Sequence, residues 1–148
     1  MQIISPDTIN RIGEKIILIG RAADAINAEI KTGNALGLRS ARESMAASEA
    51  DYDKAIADLA PEQRVWVETL FADAVDKARA GRSDYNTATY LAQIKWADDQ
   101  VRELEAITSE LKDARTEWVK GIMSYDVSAY QVAKVCGRTP STVQRWLE

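Results

Sequence analysis

Ile9, Ile12, Ile16, Ile19, Ala23, Ile26 and Ile30 follow one another at intervals of 3, 4, 3, 4, 3 and 4 residues. Only a helix brings positions so spaced onto one stripe, so the pattern predicts a long amphipathic helix with a heptad seam. Arg11, Glu14, Lys15, Arg21, Asp24 and Glu29 fall off the stripe. Ser5-Pro6-Asp7 marks the start, with a hydroxyl able to cap, a proline at the first helical position and an acid in the first turn. A bundle helix packed inside its own chain and an arm of an intermolecular coiled coil would both bury this stripe.

The punctuation that follows predicts three more long helices. Gly33, Asn34 and Gly37 place a turn over residues 32–37. A second helix is expected over 38–59, where Leu38, Met45, Tyr52 and Leu59 recur every seven residues and Ala41 and Ile56 widen the face. Ala60-Pro61-Glu62 resets the chain, because proline disfavours helical geometry in the residue before it and starts a helix well. The third helix, Pro61 to Ala80, offers Val67, Leu70, Phe71, Ala74, Val75 and Ala78 and stops at Gly81. The fourth is the longest, about Asp84 to Ser124, with Tyr90, Ile94, Ala97, Val101, Leu104, Leu111, Ala114, Trp118 and Ile122 as its stripe. A helix of that length needs partners along it, and the three preceding helices are the expected ones. No alternating pattern predicts a sheet.

Composition narrows the function classes. The 148 residues include only seven glycines and three prolines, in keeping with an all-α protein. The single cysteine, Cys136, excludes an intramolecular disulfide and is expected to be reduced and packed in a core. No histidine is present, which removes Ser-His-Asp, Cys-His and di-iron arrangements and leaves no metal site in view. No phosphate-binding glycine loop appears. Acidic pairs such as Asp98-Asp99 fall on amphipathic helices and read as solvated faces. The chain is therefore expected to be no enzyme and to need no cofactor. No secretory signal is visible, and Ile16-Ile17-Leu18-Ile19, bracketed by Lys15 and Arg21, is too short to span a membrane. A cytoplasmic protein is expected.

The formal net charge is −4, but it is unevenly spread. From Val127 onward Lys134, Arg138 and Arg145 face one acidic side chain, Glu148, so this end carries +2 and the remainder −6. An acidic body with a locally basic end suits a protein that meets DNA through that end. The same end has the spacing of a helix-turn-helix. Ser128 and Gln131 form a capping-box pattern with Val127 placed as a hydrophobic staple. Ala133 is small where two helices would cross, Gly137 supplies a positive φ in the turn, and Thr139-Pro140 opens the second helix. Val143 and Trp146 then share a face. Residues 112–124 would supply the helix beneath, offering Trp118, Ile122 and Met123 to Val132, Val135, Val143 and Trp146.

The pattern Val-Ser-x-x-x-Val-Ala-x-x-x-Gly-x-x-x-Ser-Thr-Val-x-Arg-Trp-Leu, within residues 115–147, resembles the helix-turn-helix of site-specific DNA invertases and resolvases. It is also similar to that of many small bacterial, actinobacterial and phage regulators. The resemblance implies the fold of this segment and a second helix seated in the major groove. It does not extend to recombinase chemistry, since the residues before it have no counterpart of the catalytic serine domain. Arg138 stands where many members have an aliphatic residue.

Ser141 and Thr142, near the start of that helix, would reach phosphate or a base edge, with Thr139 capping beside them. Gln144 can pair with adenine and Arg145 with guanine, while Lys134 and Arg138 suit phosphates. Three cations give a thin grip on duplex DNA, so a homodimer is expected, with the isoleucine seam and the long fourth helix as available dimer surfaces. The organisation so read is an antiparallel bundle of about four helices over 1–110, serving oligomerisation, and a tri-helical DNA-binding domain over 111–148 that shares the fourth helix. The functional expectation is a dimeric transcriptional regulator that binds double-stranded DNA. The alternatives are a phage DNA-packaging or structural DNA-recognition subunit, and a helical protein-interaction module with a partner on the acidic bundle.

Overall fold

The structure, a computed structural model, describes residues 3–148. It contains six helices and, among the described residues, no strand: α1 (Pro6–Thr32), α2 (Ala35–Ala57), α3 (Pro61–Arg79), α4 (Tyr85–Met123), α5 (Ala129–Cys136) and α6 (Pro140–Trp146). Two compact units divide the chain, Met1–Gln100 and Val101–Glu148, with the boundary inside α4. Among the described residues no helix is long and apolar enough to cross a membrane.

Local chemistry sets the helix ends of the first unit. The Ser5 hydroxyl accepts from the Thr8 amide at 3.2 Å, and Pro6 fills the first helical position, where a missing N–H costs nothing. The turn after α1 is shorter than the glycines suggest. Gly33 takes the left-handed conformation at φ 70°, and Asn34 at once caps α2 by accepting from the Gly37 amide at 3.1 Å. Gly37 therefore belongs to α2 rather than to the turn, because the Asn34 side chain satisfies an amide that a longer loop would leave to water. The gap from α2 to α3 is bridged by Arg64, which donates to the carbonyls of Ala57 at 3.1 Å and Leu59 at 3.4 Å. α3 stops at Gly81, whose φ is 65°.

The isoleucine seam closes on its own chain. Ile9, Ile12, Ile16 and Ile19 are buried, Ile26 is half-buried and only Ile30, near the helix end, is exposed. Their neighbours in one cluster are Tyr52, Ile56 and Leu59 of α2 and its exit, and Val67, Phe71, Ala74, Val75 and Ala78 of α3. Of the two uses open to the seam, intramolecular packing is the one realised. Arg79 of α3 also grips Glu49 of α2, donating from Nε and Nη2 to the two carboxylate oxygens at 2.8 and 2.9 Å.

α4 does not present the expected stripe to this core. Tyr90, Ile94, Ala97, Val101, Leu104, Leu111, Trp118 and Ile122 are all exposed. In the first unit α4 instead turns Tyr85, Ala88, Thr89, Ala92 and Trp96 inward. The reason lies on α1. A Cβ on Gly20 would overlap the Tyr85 ring, and one on Gly13 would meet the Gln93 side chain at 2.7 Å and Thr89 at 3.3 Å. Two glycines seven residues apart thus leave room on α1 for the Tyr85 ring and the Gln93 side chain of α4. The Thr89 hydroxyl is satisfied within its own helix by the Tyr85 carbonyl at 2.8 Å, and the Tyr85 hydroxyl donates to Asp24 at 3.0 Å.

Replacing Gly20 by alanine is expected to force the Tyr85 ring out of place and cost about 1–3 kcal/mol, the range for overpacking a filled site. Gly13→Ala, which meets mainly the movable end of Gln93, should cost less; urea denaturation of the two variants checks the order. A second expectation concerns pH. Burial first, then the nearby Glu68 carboxylate, pushes the Tyr52 hydroxyl from its ordinary 10.0 up to about 12. The unfolded chain loses this proton near 10 and the folded one near 12, so the contribution to stability is whole below pH 10 and falls away between 10 and 12. Tyr52→Phe should flatten that part of the decline in denaturation midpoints measured across this window. Tyr85, also raised by burial and by its bond to Asp24, remains in the variant as an internal comparison.

Candidate nucleic-acid interface

In the second unit the short helices α5 and α6 are made by their caps. The Ser128 hydroxyl accepts from the Gln131 amide at 3.3 Å while the Gln131 side chain accepts from the Ser128 amide at 2.8 Å, a reciprocal pair that satisfies two orphan donors. At the other end Gly137 takes φ 61°, and the amides of Arg138 and Gly137 reach back to the carbonyls of Ala133 at 2.9 Å and Lys134 at 3.4 Å. This paired closure requires a left-handed residue between the helices. The Thr139 hydroxyl then accepts from the Thr142 amide at 3.3 Å, and Pro140 occupies the first position of α6.

These ends hold two helices that meet through small and branched side chains. Val119 of α4, Ala133 of α5 and Val143 of α6 form the buried centre, flanked by Met123, Ala129, Val132, Trp146 and Leu147. α4 contributes two further clasps to α6. The Thr116 hydroxyl donates to the Trp146 carbonyl at 3.0 Å, and the Arg115 guanidinium lies over the Trp146 ring, 3.9 Å from its centre. Neither Arg115 nor Thr116 stands out in the sequence; the signal for them is their spacing from Val119, which puts all three on one side of α4.

Four expected core residues, Trp118, Ile122, Val135 and Cys136, lie elsewhere. Trp118 is exposed, because the inward face runs through Val119 and is turned about 100° from it. Val135 is 88% exposed, since it lies two residues, or about 200° of helix, beyond the buried Ala133. Cys136 is exposed too, at the point where α5 gives way to the turn.

Of the residues expected to meet DNA, Lys134, Arg138, Thr139, Ser141, Gln144 and Arg145 are exposed and Thr142 is half-buried. The threonines are engaged in structure. Thr139 Oγ1 lies 2.9 Å from Thr142 Oγ1 and 3.1 Å from Ser141 Oγ, and Arg145 donates to Thr142 Oγ1 at 3.2 Å. Ser141, Gln144 and Arg145, spaced by three and four, share one outer side of α6 opposite to Val143. Lys134 and Arg138 have no ion-pair partner among the described residues. From Val127 to Leu147 there are three cations and no acidic side chain, whereas the other residues carry 16 cations (19 − 3) against 23 anions. The surface of α5 and α6 therefore carries the local excess of positive charge expected there.

Gly137→Ala is expected to strain the turn by about 1–2 kcal/mol, the cost of a left-handed conformation for a residue with a Cβ. Amide exchange should then speed up in α5 and α6 while protection in α1–α3 stays unchanged; equal loosening of both units would contradict this. No family model matches the chain, and no curated protein or solved structure is detectably similar to it.

Proposed function

We propose that the chain is a sequence-specific double-stranded DNA-binding protein, a dimeric transcriptional regulator, in which α4, α5 and α6 act as a helix-turn-helix. In this reading α6 enters the major groove, and α1–α3 with the first part of α4 form the bundle of an acidic body. The observation that carries it is the surface of α5 and α6, which bears no acidic side chain and where Lys134, Arg138 and Arg145 make no ion pair with the described residues, beside the exposed amide of Gln144.

The roles divide by chemistry. Arg145 has the forked donor that matches the O6 and N7 acceptors of guanine, and Gln144 the donor–acceptor pair that matches adenine. Lys134 and Arg138 sit before α6 and reach phosphates on either side of the groove, which positions the helix without reading sequence. Thr139 and Thr142 serve chiefly by fixing the start of α6, and their contribution to binding is the orientation of Ser141 and Arg145. Three phosphate contacts per chain correspond to a slope of about −2.7 in log affinity against log salt, and a dimer to about twice that.

Selection of bound duplexes from random DNA, followed by anisotropy titrations across salt, tests the reading. A palindromic consensus is expected. Arg145→Ala and Gln144→Ala should each weaken binding by about 1–3 kcal/mol and relax the preference at one base pair. Lys134→Ala and Arg138→Ala should each reduce the salt slope by about 1 and leave the preference intact. Absence of any enrichment at low salt would overturn the proposal.

A further inference from the structure

The apolar residues that α4 leaves in solvent are not scattered. Val101, Leu104, Leu111, Trp118 and Ile122 fall on heptad core positions, with Thr108 and Arg115 at the two remaining ones, Arg115 being the residue that covers the Trp146 ring. Tyr90, Ile94 and Ala97 carry the same spacing on the part of α4 that lies in the first unit. The seven large members, Tyr90, Ile94, Val101, Leu104, Leu111, Trp118 and Ile122, are between 38% and 73% exposed. A helix that is both partly packed and regularly apolar on a free face has room for a partner helix.

We infer that this face pairs with the same face of a second copy of the chain, as a parallel two-stranded coiled coil along α4. Three observations favour that occupant over any other. The pattern is self-complementary in type: between residues 94 and 111 one core position is Ile94, Val101 and Thr108, all β-branched, and the other is Ala97, Leu104 and Leu111, while Arg115 interrupts the first position beyond them. β-Branched residues at the first position with leucine at the second favour two parallel strands. The flanking positions agree. On one side they are Gln93, Gln100, Ile107 and Ala114, and on the other Asp98, Glu105 and Lys112, followed by Val119, which packs on α5 and α6. Parallel pairing sets each charged position against an uncharged one of the other copy, whereas the antiparallel overlap that aligns most of the seam sets Glu105 against Glu105. The size is also right. Seven side chains offering on the order of 100 Å² each come close to the roughly 800 Å² per partner that stable interfaces bury.

The isoleucine seam of α1 is already occupied within the chain, which leaves α4 as the self-association surface. The pairing does not depend on DNA binding. It gives the proposed regulator its second reading head, and a dimer that ignores DNA would leave the pairing standing while removing the function.

The experiment uses the full chain with Cys136→Ser, so that no native thiol interferes. Leu104→Cys and Leu111→Cys are introduced separately and oxidised. In a parallel, in-register pair both variants form a disulfide-linked dimer to a similar extent; an antiparallel pair links at most one of them. Light scattering of the unmodified chain at tens of micromolar should give twice the chain mass. Leu104→Glu with Leu111→Glu should give a monomer that keeps its helical circular dichroism, since neither side chain is in a core. A monomeric unmodified chain, a dimer that survives the double glutamate, or linkage in only one cysteine variant would each overturn the inference.

Discussion

Burial of one side of α1 is the interaction on which the first unit depends. Four isoleucines without appreciable exposure meet residues from α2, from α3 and from the start of α4. Each buried aliphatic side chain contributes on the order of 1.5–3 kcal/mol of transfer free energy, so this face outweighs the exposed ion pairs around it, which are worth about 0–1 kcal/mol each. The same helix carries the constraint that shapes α4. Its glycines clear the space that the Tyr85 ring and the Gln93 side chain fill. α4 is thereby seated with Tyr85, Ala88, Thr89, Ala92 and Trp96 inside and with Tyr90 and Ile94 outside.

α4 thus has two usable faces, and this explains where the sequence was legible and where it was not. Helix periodicity was read correctly for α1 to α3, and Pro6, Pro61, Gly33 and Gly81 marked ends because they act locally, but the start of α2 was placed at Leu38, three residues late, since Asn34 caps it. The inward faces of α2 and α3 were legible for a related reason: Tyr52 and Phe71, bulky residues of the expected stripes, are also buried. In α4 the two properties part. Choosing the bulkiest stripe selected Tyr90, Ile94 and Val101, but inward packing was decided by clearance over Gly13 and Gly20, which lie about 70 residues away in the sequence. No local pattern carries that information.

The C-terminal unit shows the same division at smaller scale. Its caps and its turn were readable, since a serine, a glycine and a threonine-proline pair state their conformations directly. Its core was read one residue out of phase on α4, with Trp118 in place of Val119. A tryptophan outweighs a valine in any hydrophobic pattern, yet a helix of eight residues and one of seven leave a narrow space between them. Ala133, Val143 and Val119 fill it, and the larger Trp146 remains at the margin, where Arg115 covers its ring.

That margin has a consequence for α6. Seven residues span about 10 Å and two turns, well below the length at which a helix persists alone in water. Its helicity is held by attachment, through Val143 in the core and through Thr116 and Arg115 at Trp146. Ordering of α6 and docking of α6 are therefore one event with one opening free energy. The array of Ser141, Gln144 and Arg145 exists as a surface only while that clasp is shut, and Arg115 and Thr116, which bear no part of the array, govern how much of the time it is there.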